Sequence, residues 1–170
     1  MTGYSTDGWH ELFILAGGAT AALSGLIFVG LSVNIKEVLA LEEKDGAPLL
    51  TGRGLEALVA LLNVLVICIV GAVPNVNRGV LAAFILVVAA ESAVSPVRAA
   101  LATRGLSKIS KSTTFQRLPV AITLTLIYFV SGITLAVEHG GGLLWLPAAF
   151  VLSIFIAALN AWILLVEVMR

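Results

Sequence analysis

The sequence predicts an all-α fold, a polytopic membrane helix bundle of five transmembrane helices forming a single domain over residues 1–170. Three observations predict it. The 170 residues are 59% hydrophobic and 12% charged, with a mean hydropathy of +1.07, a composition outside the range of soluble globular domains. Five apolar stretches, about 12–35, 54–74, 79–97, 118–137 and 143–168, each approach the ~20 residues that cross a ~30 Å hydrocarbon core. Third, the basic residues segregate. Alternate connections carry Lys36, Lys44 and Arg53, then Arg98, Arg104, Lys108, Lys111 and Arg117, with Arg170 after the last span, whereas the opposite side keeps Arg78 alone. Basic residues resist translocation, so the rich side is cytoplasmic, with the N-terminus out and the C-terminus in.

The first span lacks a basic leading region, and its length exceeds the ~7–15 residues of a signal-peptide core, so it reads as a resident helix. It is rich in small residues: Gly17, Ala21 and Gly25 recur at i+4. Such spacing lets two backbones approach closely and marks a packing face. The second span carries the lone Cys68, which excludes an intramolecular disulfide and reads as a small packing residue. Asn75-Val76-Asn77 is a short hinge to the third span, forcing antiparallel neighbours.

The third span contains Glu91, Ser92, Ser95 and Pro96, and hydropathy alone makes it the weakest of the five. Omitting it would put the basic 98–117 loop on the side of Arg78 and erase the charge asymmetry. The fourth and fifth spans are joined by Glu138-His139-Gly140-Gly141-Gly142. Trp9 and Trp145 fall at the outer boundary, where an amphipathic ring is favoured at headgroup level. Trp162 lies deeper, packed or facing lipid. The cytoplasmic connections 36–53 and 98–117 are the only sizeable water-exposed segments expected, and neither is long enough to bury a core. No internal repeat of the transporter kind is present.

Polar residues within the spans are the candidate functional groups, because hydrocarbon offers them no partner. Glu91 lies ~20 Å along its helix from Arg78 and ~10 Å from Arg98. A charged group there costs on the order of 2.5–3.5 kcal/mol, so the neutral acid is favoured unless a cation or several donors surround it. Ser95 shares its face at i+4, and Pro96 leaves the Ser92 carbonyl without its helical donor. Asn63 and Asn160 each fall ~15 Å from the cytoplasmic boundary, and Ser24 and Tyr128 lie near the middles of their spans. Glu56 with Asn63, and Asn160 with Glu167, extend two of these into stripes at i+7. A polar seam centred on Glu91 and opening toward the cytoplasm is the resulting picture. It is either a set of interhelical hydrogen bonds, each about 0.6 kcal/mol, or a proton or cation site.

Catalytic and metal chemistry have no support. There is no HExxH, GxSxG, phosphate-binding loop or CxxC. The run Ala22-Leu23-Ser24-Gly25 resembles the serine motif of rhomboid proteases, but His10 and His139 sit more than ~15 Å away along the helices, and the dyad needs a base within hydrogen-bond reach. No carboxylate or thiol cluster accompanies those histidines, so no metal or other cofactor is expected. The basic, hydroxyl-rich stretch Arg104–Arg117 reads as a cytoplasmic anchor attracted to anionic lipid headgroups. With one aromatic residue it makes no platform for nucleic acid.

The run Gly8-Trp9-His10-Glu11-Leu12-Phe13, leading into Gly17-Gly18-Ala19-Thr20-Ala21-Ala22-Leu23-Ser24-Gly25-Leu26-Ile27-Phe28-Val29, resembles small multipass membrane proteins of bacteria, in an actinobacterial style. The ending Asn160-Ala161-Trp162-Ile163-Leu164-Leu165-Val166-Glu167 is similar in kind. The resemblance implies a bacterial lineage, and with it a bacterial cytoplasmic (inner) membrane as the expected location, and brings no catalytic or ligand residues. The expectation is therefore a non-enzymatic structural or accessory membrane component that self-associates or binds another membrane protein, with lipids as its other partners. The alternative is a small proton or cation channel or transporter using Glu91.

Overall fold

The computed structural model describes residues 3–6, 8–45, 49–94, 97 and 108–168. They form six α-helices: α1 (His10–Val33), α2 (Ile35–Asp45), α3 (Leu49–Gly71), α4 (Arg78–Ser92), α5 (Lys108–Val137) and α6 (Leu146–Val168), with a 3-10 turn at Gly142–Trp145 before α6. No strand occurs among the described residues. Four segments are long and apolar enough to cross a membrane: His10–Val33, Gly54–Gly71, Pro119–Val137 and Gly142–Trp162. The chain is an all-helical protein with the makings of a multi-pass membrane protein.

The remaining expected span corresponds to α4, whose 15 residues cover only ~22 Å. Helical hydrogen bonding continues past its end, with Ala93 N donating to the Ala89 carbonyl and Val97 N to the Ala93 carbonyl, both at 3.1 Å. The expected cytoplasmic loops differ more. Ile35–Asp45 is a helix of its own, α3 begins at Leu49, and α5 begins at Lys108, ahead of its apolar part. Positive-inside charge fixes only the side of a segment, and Lys, Arg and Glu are good helix formers, so helix runs on beyond the hydrocarbon. Asn34 makes the break between α1 and α2: its Nδ2 donates to the Gly30 carbonyl at 2.9 Å, a carbonyl that the Asn34 backbone N–H reaches only at 3.3 Å.

The chain divides into two compact units. The first comprises residues 1–10 and 70–149. Within it Asn75 takes a left-handed φ of 53°, and Asn77 caps α4 by accepting from Gly79 N at 2.8 Å, so the short hinge turns the chain back as expected. α4 and α5 run antiparallel: Arg78 pairs with Glu138 at 2.6 Å, and further along, a Cβ on Gly132 would lie 2.7 Å from Leu86. Leu81, Ile85, Val88 and Ala89 from α4 and Leu124, Tyr128 and Leu135 from α5 are buried.

The second unit comprises residues 11–69 and 150–170. Gly17 approaches Cys68 at one end and Leu31 meets Gly54 at the other. α1 and α3 are therefore antiparallel, with equal numbers of residues between the two contacts. Ala57 and Leu61 of α3 pack with Ala157 and Ile154 of α6 and with Leu23 and Ile27 of α1. α1 is the least covered of the four candidate spans, at 17% of its apolar window against 33–39% for the others.

Candidate functional site

Three of the five expected polar residues fall in the second unit. Ser24 lies midway between Gly17 and Leu31, and Leu61 midway between Cys68 and Gly54, so the antiparallel register brings Ser24 level with Leu61. Asn63 is then ~3 Å from that level along the axis. Asn160 follows one turn after Ala157 in the same apolar cluster and is itself buried. Asn63 is half-buried and engaged by other groups of the chain. Ser24 donates to the carbonyl of Thr20 at 2.7 Å, which satisfies its proton within its own helix.

Glu91 belongs to the first unit. The register of α4 against α5 brings it level with the turn Leu124–Tyr128. It is engaged within the chain yet exposed, on a face of α4 with Phe84 and Val87. Ser95 lies outside the described residues. Tyr128 is fully buried and also engaged.

Four further helix hydroxyls share the habit of Ser24. Thr20 donates to the Ala16 carbonyl at 2.7 Å, Ser32 to Phe28 at 2.8 Å, Thr123 to Pro119 at 2.7 Å and Thr125 to Ala121 at 2.9 Å, each one turn back along its own helix. A hydroxyl bonded this way places no proton in a path between helices, although its oxygen keeps accepting capacity.

The expected packing face on α1 divides. Gly17 is the close-approach position: a Cβ there would stand 3.1 Å from the Cys68 Cβ. Gly25 faces open space and Ala21 is exposed. Successive i+4 steps advance about 400° around a helix, so Gly17 and Gly25 are rotated ~80° apart.

What sequence reading missed is a polar cap at the Arg78 end of the first unit. The Gly3 carbonyl accepts from Leu143 N at 2.7 Å, and the Tyr4 hydroxyl accepts from Gly141 N at 3.0 Å. Ser131 donates to the Gly142 carbonyl, Gly142 N donates to Thr134 Oγ1, and Trp145 Nε1 donates to the Gly140 carbonyl. The three glycines have φ of 93°, 116° and 54°, a left-handed run that only glycine adopts without strain. A Cβ on Gly3 would strike the Gly141 carbonyl, and one on Gly142 would strike that of Gly3. The run Gly140-Gly141-Gly142 was the available signal, but nothing in the sequence tied it to Gly3 and Tyr4. Trp9 is buried, at 6% exposure, where a headgroup-facing ring was expected. Its Nε1 finds no acceptor among the described residues. Trp145, expected at the same boundary, is exposed, as is Trp162.

Among the described residues no three His, Cys, Asp or Glu side chains gather as metal ligands. The chain matches no protein-family model, no curated protein and no solved structure.

Proposed function

We propose that this chain is an integral protein of a bacterial cytoplasmic membrane, crossing it five times with the N-terminus out, and that it serves as a non-enzymatic structural or accessory component. In this role it self-associates or binds another membrane protein. Four long apolar helices support the membrane setting. The helix-type hydrogen bond from Val97 N to the Ala93 carbonyl supports a fifth crossing, because it carries helical pairing past the end of α4. The observation that carries the accessory role is the behaviour of Thr20, Ser24 and Thr125, whose hydroxyls bond back to their own helices where a conducting route would present them to one another.

Two measurements test this reading. A reporter active only in the cytoplasm should be active when fused after Arg170 and silent when fused ahead of Tyr4; an active N-terminal fusion on a natively inserted chain sinks the five-span topology. Reconstituted vesicles should show no proton or cation flux under an imposed gradient, in the parent chain or in Glu91→Gln. Flux in the parent that Glu91→Gln abolishes would instead establish the channel, because an amide cannot exchange a proton with its surroundings.

A further inference from the structure

Two helical segments extend past the apolar spans on the side that the basic residues assign to the cytoplasm, and they differ in charge. α2 carries Lys36 and Lys44 against Glu37, Glu42, Glu43 and Asp45, so its acids outnumber its bases. The leading part of α5, residues 108–118, carries Lys108, Lys111 and Arg117 and no acid. No acidic residue occurs anywhere between Glu91 and Glu138. This leading part belongs to the same 30-residue helix as the apolar segment that begins at Pro119, so its basic residues are strung along the approach to a span. Arg117 lies ~3 Å, Lys111 ~12 Å and Lys108 ~16 Å from Pro119 along the helix. The headgroup layer reaches ~5–7 Å beyond the hydrocarbon, which leaves even Lys108 within roughly one Debye length of a charged leaflet. Pro119 stands where the two parts of α5 meet. It has no N–H to offer the carbonyl one turn back, and a helix bends most readily at such a position.

We propose that the leading part of α5 lies down on the cytoplasmic leaflet when that leaflet is rich in anionic lipid, and that α2 stays off it. The proposal rests on the reading above that both segments face the cytoplasm. The leaflet is the charged surface beside a helix that enters the membrane. Its negative potential is complementary to residues 108–118 and repels a helix in which acids outnumber bases. Each basic residue near such a surface strengthens attachment about fivefold. Three of them together reach on the order of a hundredfold at low salt, falling as ionic strength rises.

The full chain reconstituted in vesicles tests this. In a Cys68→Ser background, an environment-sensitive fluorophore on Ser110→Cys should shift its emission to the blue when phosphatidylglycerol is included in phosphatidylcholine vesicles. High salt should reverse the shift. The same label on Ala40→Cys of α2, an exposed position, should not shift. Lys108→Gln combined with Lys111→Gln should remove most of the Ser110→Cys shift. Equal emission in the two kinds of vesicle, or an equal shift on α2, overturns the proposal. A shift in neutral vesicles on adding inorganic phosphate assigns the site to a free anion and likewise overturns it. So does protection of Ser110→Cys from maleimide in native membranes that is lost on purification and not restored by anionic vesicles, which assigns the segment to a protein partner. Both leaflets of the vesicle have one composition, so the shift is independent of orientation. Topology is read separately: an impermeant maleimide that labels Ser110→Cys in intact cells overturns the cytoplasmic placement itself, whatever the vesicles show.

Discussion

In the unit containing α4 and α5, polar atoms pass between elements at one end. Backbone and hydroxyl groups of Gly3, Tyr4, Ser131, Thr134 and Gly140–Leu143 bond to one another, and Arg78 reaches Glu138. In the unit of α1, α2, α3 and most of α6, the hydroxyls of Thr20, Ser24 and Ser32 return to their own helix, and the contacts are made by small and aliphatic residues: Gly17 against Cys68, Gly54 against Leu31, Ala57 and Leu61 against Ala157. Lipid tails are as apolar as leucine, so burial supplies little net drive between helices there; close packing must supply it. Where a unit has a water-facing end, turn chemistry adds hydrogen bonds whose geometry only a few residue types permit. The two units should consequently fail at different places, the first at its cap and the second at its glycine contacts.

The largest effect expected is at the cap. Gly142→Val would set a β-branched residue at a φ of 54° and drive its Cβ into the Gly3 carbonyl and the Tyr4 ring. Backbone strain of about 1–3 kcal/mol adds to the loss of hydrogen bonds worth about 1 kcal/mol each. Unfolding in detergent should show a loss of about 3 kcal/mol, with the N-terminal segment newly open to protease. An unchanged midpoint would mean that the cap contributes nothing to the unit's stability, and the contrast between the units would collapse.

Next comes the packing face of α1. Gly17→Leu must push Cys68 aside, an overpacking of about 1–3 kcal/mol, whereas Gly25→Leu projects into open space and should leave stability within about 0.5 kcal/mol. Equal losses for the two would show that Gly25 is covered as closely as Gly17. A loss of oligomer mass in Gly25→Leu at unchanged stability would place a subunit contact on α1.

Much of the fold was legible because its cause is one-dimensional. Apolar run length reports a span, and the Asn75-Val76-Asn77 and Gly140-Gly141-Gly142 hinges report turns through residues that tolerate positive φ. Helix extent beyond the hydrocarbon was not legible, since Ile35–Asp45 and the start of α5 at Lys108 depend on propensity and neighbours as well as on hydropathy. The candidate polar residues were found as residue types, but their roles depend on azimuth and register. Ser24, Asn63 and the vicinity of Asn160 converge in level only once Gly17–Cys68 and Gly54–Leu31 set α1 against α3. The exposure of Glu91 follows from which face of α4 packs on α5, and a run of Val, Ala and Leu around the whole helix conceals that choice. The cap was illegible for a different reason: its partners are separated by more than a hundred residues of chain.

The smallest effect, and the finest probe of the cap, concerns Glu138. It follows the last turn of α5 at a φ of 59°, with His139 N donating to the Thr134 carbonyl at 3.2 Å, the arrangement in which glycine usually ends a helix. Its charge also sits at the negative end of its own helix, as Arg78 sits at the positive end of α4. Because α4 and α5 are antiparallel, each charge lies beside the favourable end of the other's helix, and the pair closes across them. Both side chains are about half exposed, 45% for Arg78 and 53% for Glu138, so the pair itself contributes at most about 1 kcal/mol and weakens in salt. Glu138→Ala loses the pair and keeps the left-handed backbone cost, so it should be destabilised by up to about 1 kcal/mol. Glu138→Gly loses the same pair but removes a backbone cost of about 1 kcal/mol, and should match the parent chain or slightly exceed it. At high salt the parent and the alanine variant should converge while the glycine variant moves above both. A glycine variant no more stable than the alanine variant would show that the turn carries no strain to relieve, leaving the Arg78 contact as the reason for an acid at this position.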